Sequence, residues 1–424
     1  MAGINSLFIK LSLKSEYIRN VLTLTSGTAV AQAILIAVTP LLTRIYTPDQ
    51  FGLFGVYIAL ISIGTMIASG RLEMAVLVAR KDSEALQLAL MSFLIAGVLC
   101  LLLLLIIFFH GSRIASFSGQ PAMESWLYIV PFSIFFFSAY KVILRWLNRK
   151  KQYQLMSHSR IIQSSSMSVL QVIIGLTTKS MPGLALADCI GRAISLMLVF
   201  QRIKKTIDFP KFNPVKQIAL LRRYKKFPLF GTPASILNLL SLQVPYVIIP
   251  VIFSSTVAGL YFLVFRVLMM PIALLGESIM EVFRNKAMDG LKEHGTCKPL
   301  YVKTCLTLVI IGLPPTLLLI FFGPELFALI FGEEWRVAGV YSKILAPMAL
   351  FRLVCAPLSG VLLIREKLRL ILLLQSFFFV MVALSLFIGW NYKDPIILMT
   401  FLSVSGCLFY LTQAVTAFRL CTVK

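Results

Sequence analysis

Apolar runs of about 20 residues fill this chain, and they limit what it can become. Twelve can be drawn, over residues 21–44, 51–79, 85–109, 125–147, 155–178, 183–200, 229–253, 257–283, 301–322, 337–364, 368–390 and 395–418. A helix needs roughly 20 such residues to cross about 30 Å of hydrocarbon. In that medium backbone amides and carbonyls must be paired within the protein, which leaves helices or closed barrels. Runs of this length exclude the alternating segments of roughly ten residues that barrel strands need. The sequence is 58% hydrophobic and only 13% charged, where a soluble domain carries about 25% charged residues. The expected fold is therefore all-α and integral to a membrane, with about twelve transmembrane helices. Lys10, Lys14 and Arg19 precede the first run as they would in a signal peptide. That run is too long and lacks a small-x-small cleavage site, so it reads as a retained first span.

The net charge of +23 would suggest nucleic acid in a soluble protein, but its distribution over the loops says otherwise. Twenty-five lysines and arginines fall in the tails and the even-numbered connections, nine of them between Arg202 and Lys226, against five in the odd-numbered connections. Lys/Arg excess marks the cytoplasmic face, which places both termini there and makes the charge topogenic. The basic segment divides six spans from six. It gives an N-terminal six-helix lobe at 1–200, a cytoplasmic linker at 201–228 and a C-terminal six-helix lobe at 229–424. Within the linker, Val215, Ile218, Leu221 and Tyr224 recur among Lys216, Arg222, Arg223, Lys225 and Lys226. That pattern suits a helix lying on anionic headgroups; a solvated basic linker is the alternative.

The two halves repeat. Tyr46-Thr47-Pro48-Asp49-Gln50-Phe51-Gly52-Leu53-Phe54 lines up with Phe253-Ser254-Ser255-Thr256-Val257-Ala258-Gly259-Leu260-Tyr261. Ser118-Gly119 followed by Trp126 echoes Phe331-Gly332 followed by Trp335, and Pro131 and Arg149-Lys150-Lys151 match Pro347 and Arg365-Glu366-Lys367 at one offset. Six spans per half give the halves the same orientation, related by an axis along the membrane normal. Repeats of this kind place a substrate path between them.

The run Leu42-Thr43-Arg44-Ile45-Tyr46-Thr47-Pro48-Asp49-Gln50-Phe51-Gly52-Leu53-Phe54 resembles the first-loop signature of polysaccharide biosynthesis membrane proteins. These are the Wzx-type flippases of the multidrug/oligosaccharidyl-lipid/polysaccharide exporter superfamily. Phe331-Gly332-Glu333-Glu334-Trp335 resembles their second recurring element. The resemblance covers the whole chain. It implies two six-helix lobes in a V, with spans 1, 2, 7 and 8 facing a central cavity. It also implies transfer of an undecaprenyl-pyrophosphate-linked oligosaccharide across the bacterial inner membrane for O-antigen or related polysaccharide. The partners it implies are membrane lipids, a polysaccharide polymerase and a chain-length regulator. Ser254-Ser255-Thr256 departs from Thr47-Pro48-Asp49, which weakens arguments from strict symmetry.

Ionisable groups within spans are costly and are functional candidates by default. Arg44, Arg71, Arg266, Arg352 and Lys141 form a cationic surplus suited to a diphosphate, whose oxygens a guanidinium grips bidentately. Arg44, Arg71 and Arg266 are expected to form one anion site between the lobes, although Arg71 at a span end could equally snorkel to headgroups. Glu73 and Glu277 are candidates for coupling to a proton or cation. Gln32, Asn238 and Gln243 are candidates for sugar hydroxyls. Asp188 and Arg192, spaced i,i+4, are expected to neutralise each other. Pro40, Pro245, Pro250, Pro271 and Pro314-Pro315 mark expected bends.

Other chemistry finds no support. The chain lacks a phosphate loop ending in Gly-Lys-Ser/Thr and a GxSxG nucleophile. His110, His158 and His294 stand apart, and the seven cysteines show no CxxC spacing. No cofactor, metal or nucleic acid is expected, and the chain is read as a carrier. A drug or small-solute antiporter of the same superfamily is the nearest alternative. A membrane polymerase or ligase is further off, because the external connections are short.

Overall fold

The computed structural model describes residues 23, 26–117, 123–204, 214–224 and 233–422. Among these residues, twelve helices are long and apolar enough to cross a membrane. The first six spans are α1 (Ser26–Ile45), α2 (Pro48–Ser69) continued by α3 (Leu72–Val78), α4 (Asp82–Phe117), α6 (Ile129–Arg149) entered through α5 (Glu124–Leu127), α7 (Tyr153–Thr178) and α8 (Met181–Ile203). A short α9 (Pro214–Tyr224) lies in the connecting segment. The last six are α10 (Pro233–Ile252), α11 (Ser255–Glu293), α12 (Lys298–Phe331), α13 (Arg336–Leu358) followed by α14 (Gly360–Ile364), α15 (Leu368–Tyr392) and α16 (Pro395–Arg419).

Burial sorts these helices. In its most apolar window α2 is 61% buried and α12 only 17%, so α2 lies inside the bundle and α12 on its lipid-facing outside. The helices are also longer than the apolar runs: α4 has 36 residues, α12 has 34 and α11 has 39. Intrahelical hydrogen bonding continues past the hydrophobic stretch into polar ends. α10, α11 and α12 run on through Pro245, Pro250, Pro271, Pro314 and Pro315.

The sequence repeat is visible as matched helix starts. Thr47 caps α2 in a capping box: its Oγ1 accepts the Gln50 N–H at 3.5 Å, and Gln50 Oε1 accepts the Thr47 N–H at 3.1 Å. Ser254 caps α11 by accepting the Val257 N–H at 3.2 Å. The replacement of Thr47-Pro48-Asp49 by Ser254-Ser255-Thr256 therefore keeps a hydroxyl cap, which is what the position requires.

One turn beyond these caps, α2 and α11 cross backbone to backbone. A Cβ on Gly52 would land on the Ser255 carbonyl oxygen, and one on Gly259 would land on the Pro48 carbonyl oxygen. The two contacts are mirror copies in repeat terms, so the pseudo-two-fold axis passes between the glycines. Aromatic rings complete the closure. Phe51 meets Trp335 edge-on at 5.0 Å and Phe262 at 6.2 Å, and Phe54 meets Phe262 at 5.8 Å. Trp335 Nε1 donates to the Thr43 carbonyl at 3.0 Å, tying the second half to the end of α1.

Later matches shift by a residue or two, so the single offset expected from sequence does not hold throughout. The left-handed turn residues after α6 and α14 are Lys151 (φ 54°) and Glu366 (φ 53°), not Lys151 and Lys367. Those closing α7 and α15 are Lys179 and Lys393, each bonded to a glycine carbonyl four residues back, Gly175 and Gly389, at 3.0 Å. Backbone geometry sets this register, and the charge pattern only approximates it. Trp126 and Trp335 are both buried; the Ser118-Gly119 element lies outside the described residues.

The expected linker helix exists, but its described contacts are with protein. Gln217, Leu220 and Tyr224 of α9 are buried, with Leu220 and Tyr224 packed beside Ala75, Val76, Ala85 and Trp146. Arg223 and Tyr224 reach Glu84 at 3.2 and 3.3 Å. Val215 and Ile218, half of the expected apolar face, have no described side chains.

Candidate functional site

The run read as a second span over 51–79 is broken. α2 ends at Ser69, then Gly70 (φ 48°) and Arg71 (φ 59°) both take the left-handed conformation before α3 begins. Gly70 closes α2 by donating to the Met66 and Ile67 carbonyls, as a glycine after a helix commonly does. Arg71 is different. A Cβ in that conformation costs roughly 1–2 kcal/mol, and strained non-glycine positions persist where surrounding structure holds them. Here Arg71 N–H lies 3.4 Å from Ser69 Oγ, and Met74 N–H bonds the Arg71 carbonyl at 3.0 Å. The break places Arg71 and Glu73 on the wall of a cavity.

That cavity, about 970 Å³, lies between the halves. On the first-half side it is lined by the end of α2, by Arg71 and Glu73, and by Phe137 and Lys141 of α6. On the second-half side it is lined by Asn238 of α10, Arg352 of α13, Gln375 of α15, and Tyr410 and Gln413 of α16. Among the described residues, three cations thus face one carboxylate. Glu73 is only 7% exposed, and its Oε2 has no hydrogen-bond partner among the described residues. The site sits in the size range of small-molecule pockets, roughly 300–1,000 Å³.

A buried network holds the first-half wall. Arg192 grips Asp188 bidentately at 2.7 and 3.0 Å, the i,i+4 pairing expected from spacing. The Tyr57 hydroxyl lies 3.2 Å from Asp188 Oδ2 and 2.7 Å from the Ser133 hydroxyl. Behind the cavity, Phe137 has Arg192 Cζ 4.2 Å from its ring centroid and Lys141 Nζ 4.5 Å from it. Arg192 is neutralised by its partner, whereas Lys141 makes no ion pair among the described residues and lines the cavity.

Of the residues singled out from sequence, Arg71, Lys141, Arg352, Glu73 and Asn238 line this one space. The others are placed elsewhere. Arg44 is exposed before the start of α2 and Arg71 follows its end, so 22 residues of helix, about 33 Å, separate them. Arg44, Arg71 and Arg266 do not form one cluster. Arg266 is buried in α11 with Nη2 3.3 Å from the Leu35 carbonyl, and its Nε has no partner among the described residues. Gln32 and Gln243 lie outside the cavity wall, each with a buried side-chain oxygen that has no partner among the described residues. The Glu277 side chain lies outside the described residues.

Sequence reading missed Gln375 and Gln413. A signal was present: each is a polar amide inside a run otherwise fit for hydrocarbon, where polar groups need a reason.

The family described as polysaccharide biosynthesis protein matches residues 41–339. No curated protein matches the chain. Among solved structures, the lipid II flippase MurJ in an inward closed conformation is similar over 93% of this chain and 89% of that one, with TM-score 0.73 and 13% identity. An inward-facing multidrug resistance MATE family transporter of the MOP superfamily is similar over 93% and 94%, with TM-score 0.69 and 12% identity. A MOP superfamily transporter from Pyrococcus furiosus is similar over 95% of each chain, with TM-score 0.64 and 14% identity. At such identities the likeness shows a shared fold.

Proposed function

The chain belongs to the polysaccharide biosynthesis protein family, and from that premise we propose that it flips a diphosphate-linked oligosaccharide lipid by alternating access. The substrate class we assign is an undecaprenyl-pyrophosphate oligosaccharide destined for O-antigen or a related surface polysaccharide. The membrane is the bacterial inner membrane, with both termini cytoplasmic. The two lobes would divide at the basic linker, and the cavity would face the cytoplasm, because it lies where α2 ends and α10 begins, beside the Lys/Arg-rich connections. A polymerase and a chain-length regulator would take the product onward.

One observation carries this reading: three cations on facing walls of a cavity that lies at one end of an interface sealed at the other. Guanidinium and ammonium groups on facing walls suit a diphosphate headgroup, and in this reading the lipid tail would stay in the bilayer while the headgroup enters the cavity. Glu73 is the group to couple transfer to a proton or cation. Its unpartnered oxygen also favours the second reading, a cation-coupled antiporter for small solutes, which would tolerate loss of the cavity arginines.

The test is export of surface polysaccharide in cells carrying Arg71→Ala, Lys141→Ala or Arg352→Ala. Each is expected to cut export tenfold or more, with Arg71→Lys only partly restoring it. Normal export in all three alanine variants would sink the diphosphate reading and leave the antiporter.

A further inference from the structure

We infer that the second-half wall of the cavity is a saccharide subsite, distinct from the cationic wall opposite; this rests on the reading that the substrate carries a glycan. Asn238, Gln375 and Gln413 come from three different helices to one wall. Asn238 Nδ2 donates to Gln375 Oε1 at 2.9 Å. Gln413 makes no hydrogen bond among the described residues, although it and Gln375 are each only 8% exposed. A buried amide is costly when its groups go unmet, and each carboxamide carries two donors and an acceptor with two lone pairs. After their single mutual bond, the three side chains keep most of that capacity for whatever fills the cavity.

The capacity is uncharged and two-sided, and this selects the ligand. A diphosphate offers only acceptors, so it would satisfy the amide N–H groups and repel the amide oxygens. Vicinal hydroxyls offer a donor and an acceptor from each oxygen and can satisfy both. The wall behind is stiff: Phe409 stacks on Phe378 at 4.4 Å and 19° and meets Tyr410 at 5.0 Å. Arg352 stands on this wall too, at the place where a diphosphate held by Arg71 and Lys141 would hand over to its first sugar. The headgroup is thereby oriented, with phosphate on the first half and glycan on the second.

The full-length protein in lipid nanodiscs tests this with two probes. One is undecaprenyl diphosphate; the other is the same lipid carrying the oligosaccharide extracted from producing cells. Gln375→Leu and Gln413→Leu are expected to weaken binding of the glycosylated lipid about fivefold to tenfold and to leave undecaprenyl diphosphate within about twofold, losses of roughly 1 kcal/mol per amide. Arg71→Ala is expected to weaken both. Where Gln375→Leu does not fold, Asn238→Ala serves in its place. Equal weakening of both lipids by the glutamine variants would make these packing residues and overturn the subsite, as would no change in either. A wild-type protein that binds neither probe would overturn the substrate proposed above, and the subsite with it.

Discussion

Near the start of α2, Gly52 lets the backbone of α11 come into direct contact, and Phe51, Phe262 and Trp335 fill the space around the crossing. Eighteen residues further on, about 27 Å along the helix, Gly70 and Arg71 break α2, and a cavity of about 970 Å³ separates the same two halves. The first end meets backbone to backbone at two glycines, with rings packed beside them. The second is lined by charges and amides. The difference shows how one interface can hold and release. Contact without side chains has a narrow optimum and opens as a unit, whereas a polar wall needs an occupant. The halves also differ from each other here: α11 continues unbroken where α2 stops, so the first half supplies the irregular backbone and the second the rigid partner.

The largest expected effect comes from breaking the sealed end. Gly259→Leu drives four heavy atoms into the Pro48 carbonyl, a backbone neighbour that cannot rotate away. Overpacking typically costs about 1–3 kcal/mol, and here the two helices must part. Export is expected to fall at least tenfold, while a cysteine placed at Phe51 becomes open to a membrane-impermeant thiol reagent added on the side away from the cavity. Unchanged export with an unlabelled Phe51→Cys would show that the crossing tolerates separation and that the seal lies elsewhere.

The repeat that sets Gly52 against Gly259 was legible in the sequence, but the backbone contact between them was not, because alignment in a repeat does not say which positions touch. The span count was legible too: hydropathy over 20 residues is a large signal. The cavity was legible only in part. Arg71, Lys141 and Arg352 stood out as charges in apolar runs, but linear position could not say that Arg44 lies a full helix length away. Nor could it say that Arg266 points at Leu35 rather than the cavity. The break at Gly70-Arg71 was hidden because Leu72 to Val78 is as apolar as the helix before it. Gln375 and Gln413 carry the same signal that singled out Gln32, Asn238 and Gln243, an amide inside an apolar run, and linear position does not say which of these amides face a cavity.

A smaller effect sharpens the closed end. Trp335 Nε1 supplies a donor to the Thr43 carbonyl, near the end of α1, where no continuing helix satisfies it. Trp335→Phe keeps a ring against Phe51 and removes only that donor. The expected loss is about 1–3 kcal/mol for a buried carbonyl left unmet, read as a lowered melting temperature in detergent. A normal melting temperature with unchanged export would mean that water replaces the bond and that the aromatic packing alone holds the end shut.

The smallest effect bears on the open end and separates charge from backbone. At φ 59° Arg71 sits where glycine is at ease and any residue with a Cβ is strained. Arg71→Ala and Arg71→Gly remove the same guanidinium, so under the diphosphate proposal the two variants should bind undecaprenyl diphosphate equally poorly. They should differ in stability: Arg71→Gly relieves the left-handed strain and is expected to melt higher than Arg71→Ala, by about 1 kcal/mol in unfolding free energy. Equal melting would mean that the segment shifts its break to another residue when Arg71 is lost. The charged side chain would then be what holds the chain in its strained conformation, rather than a passenger on a turn that Gly70 makes unaided.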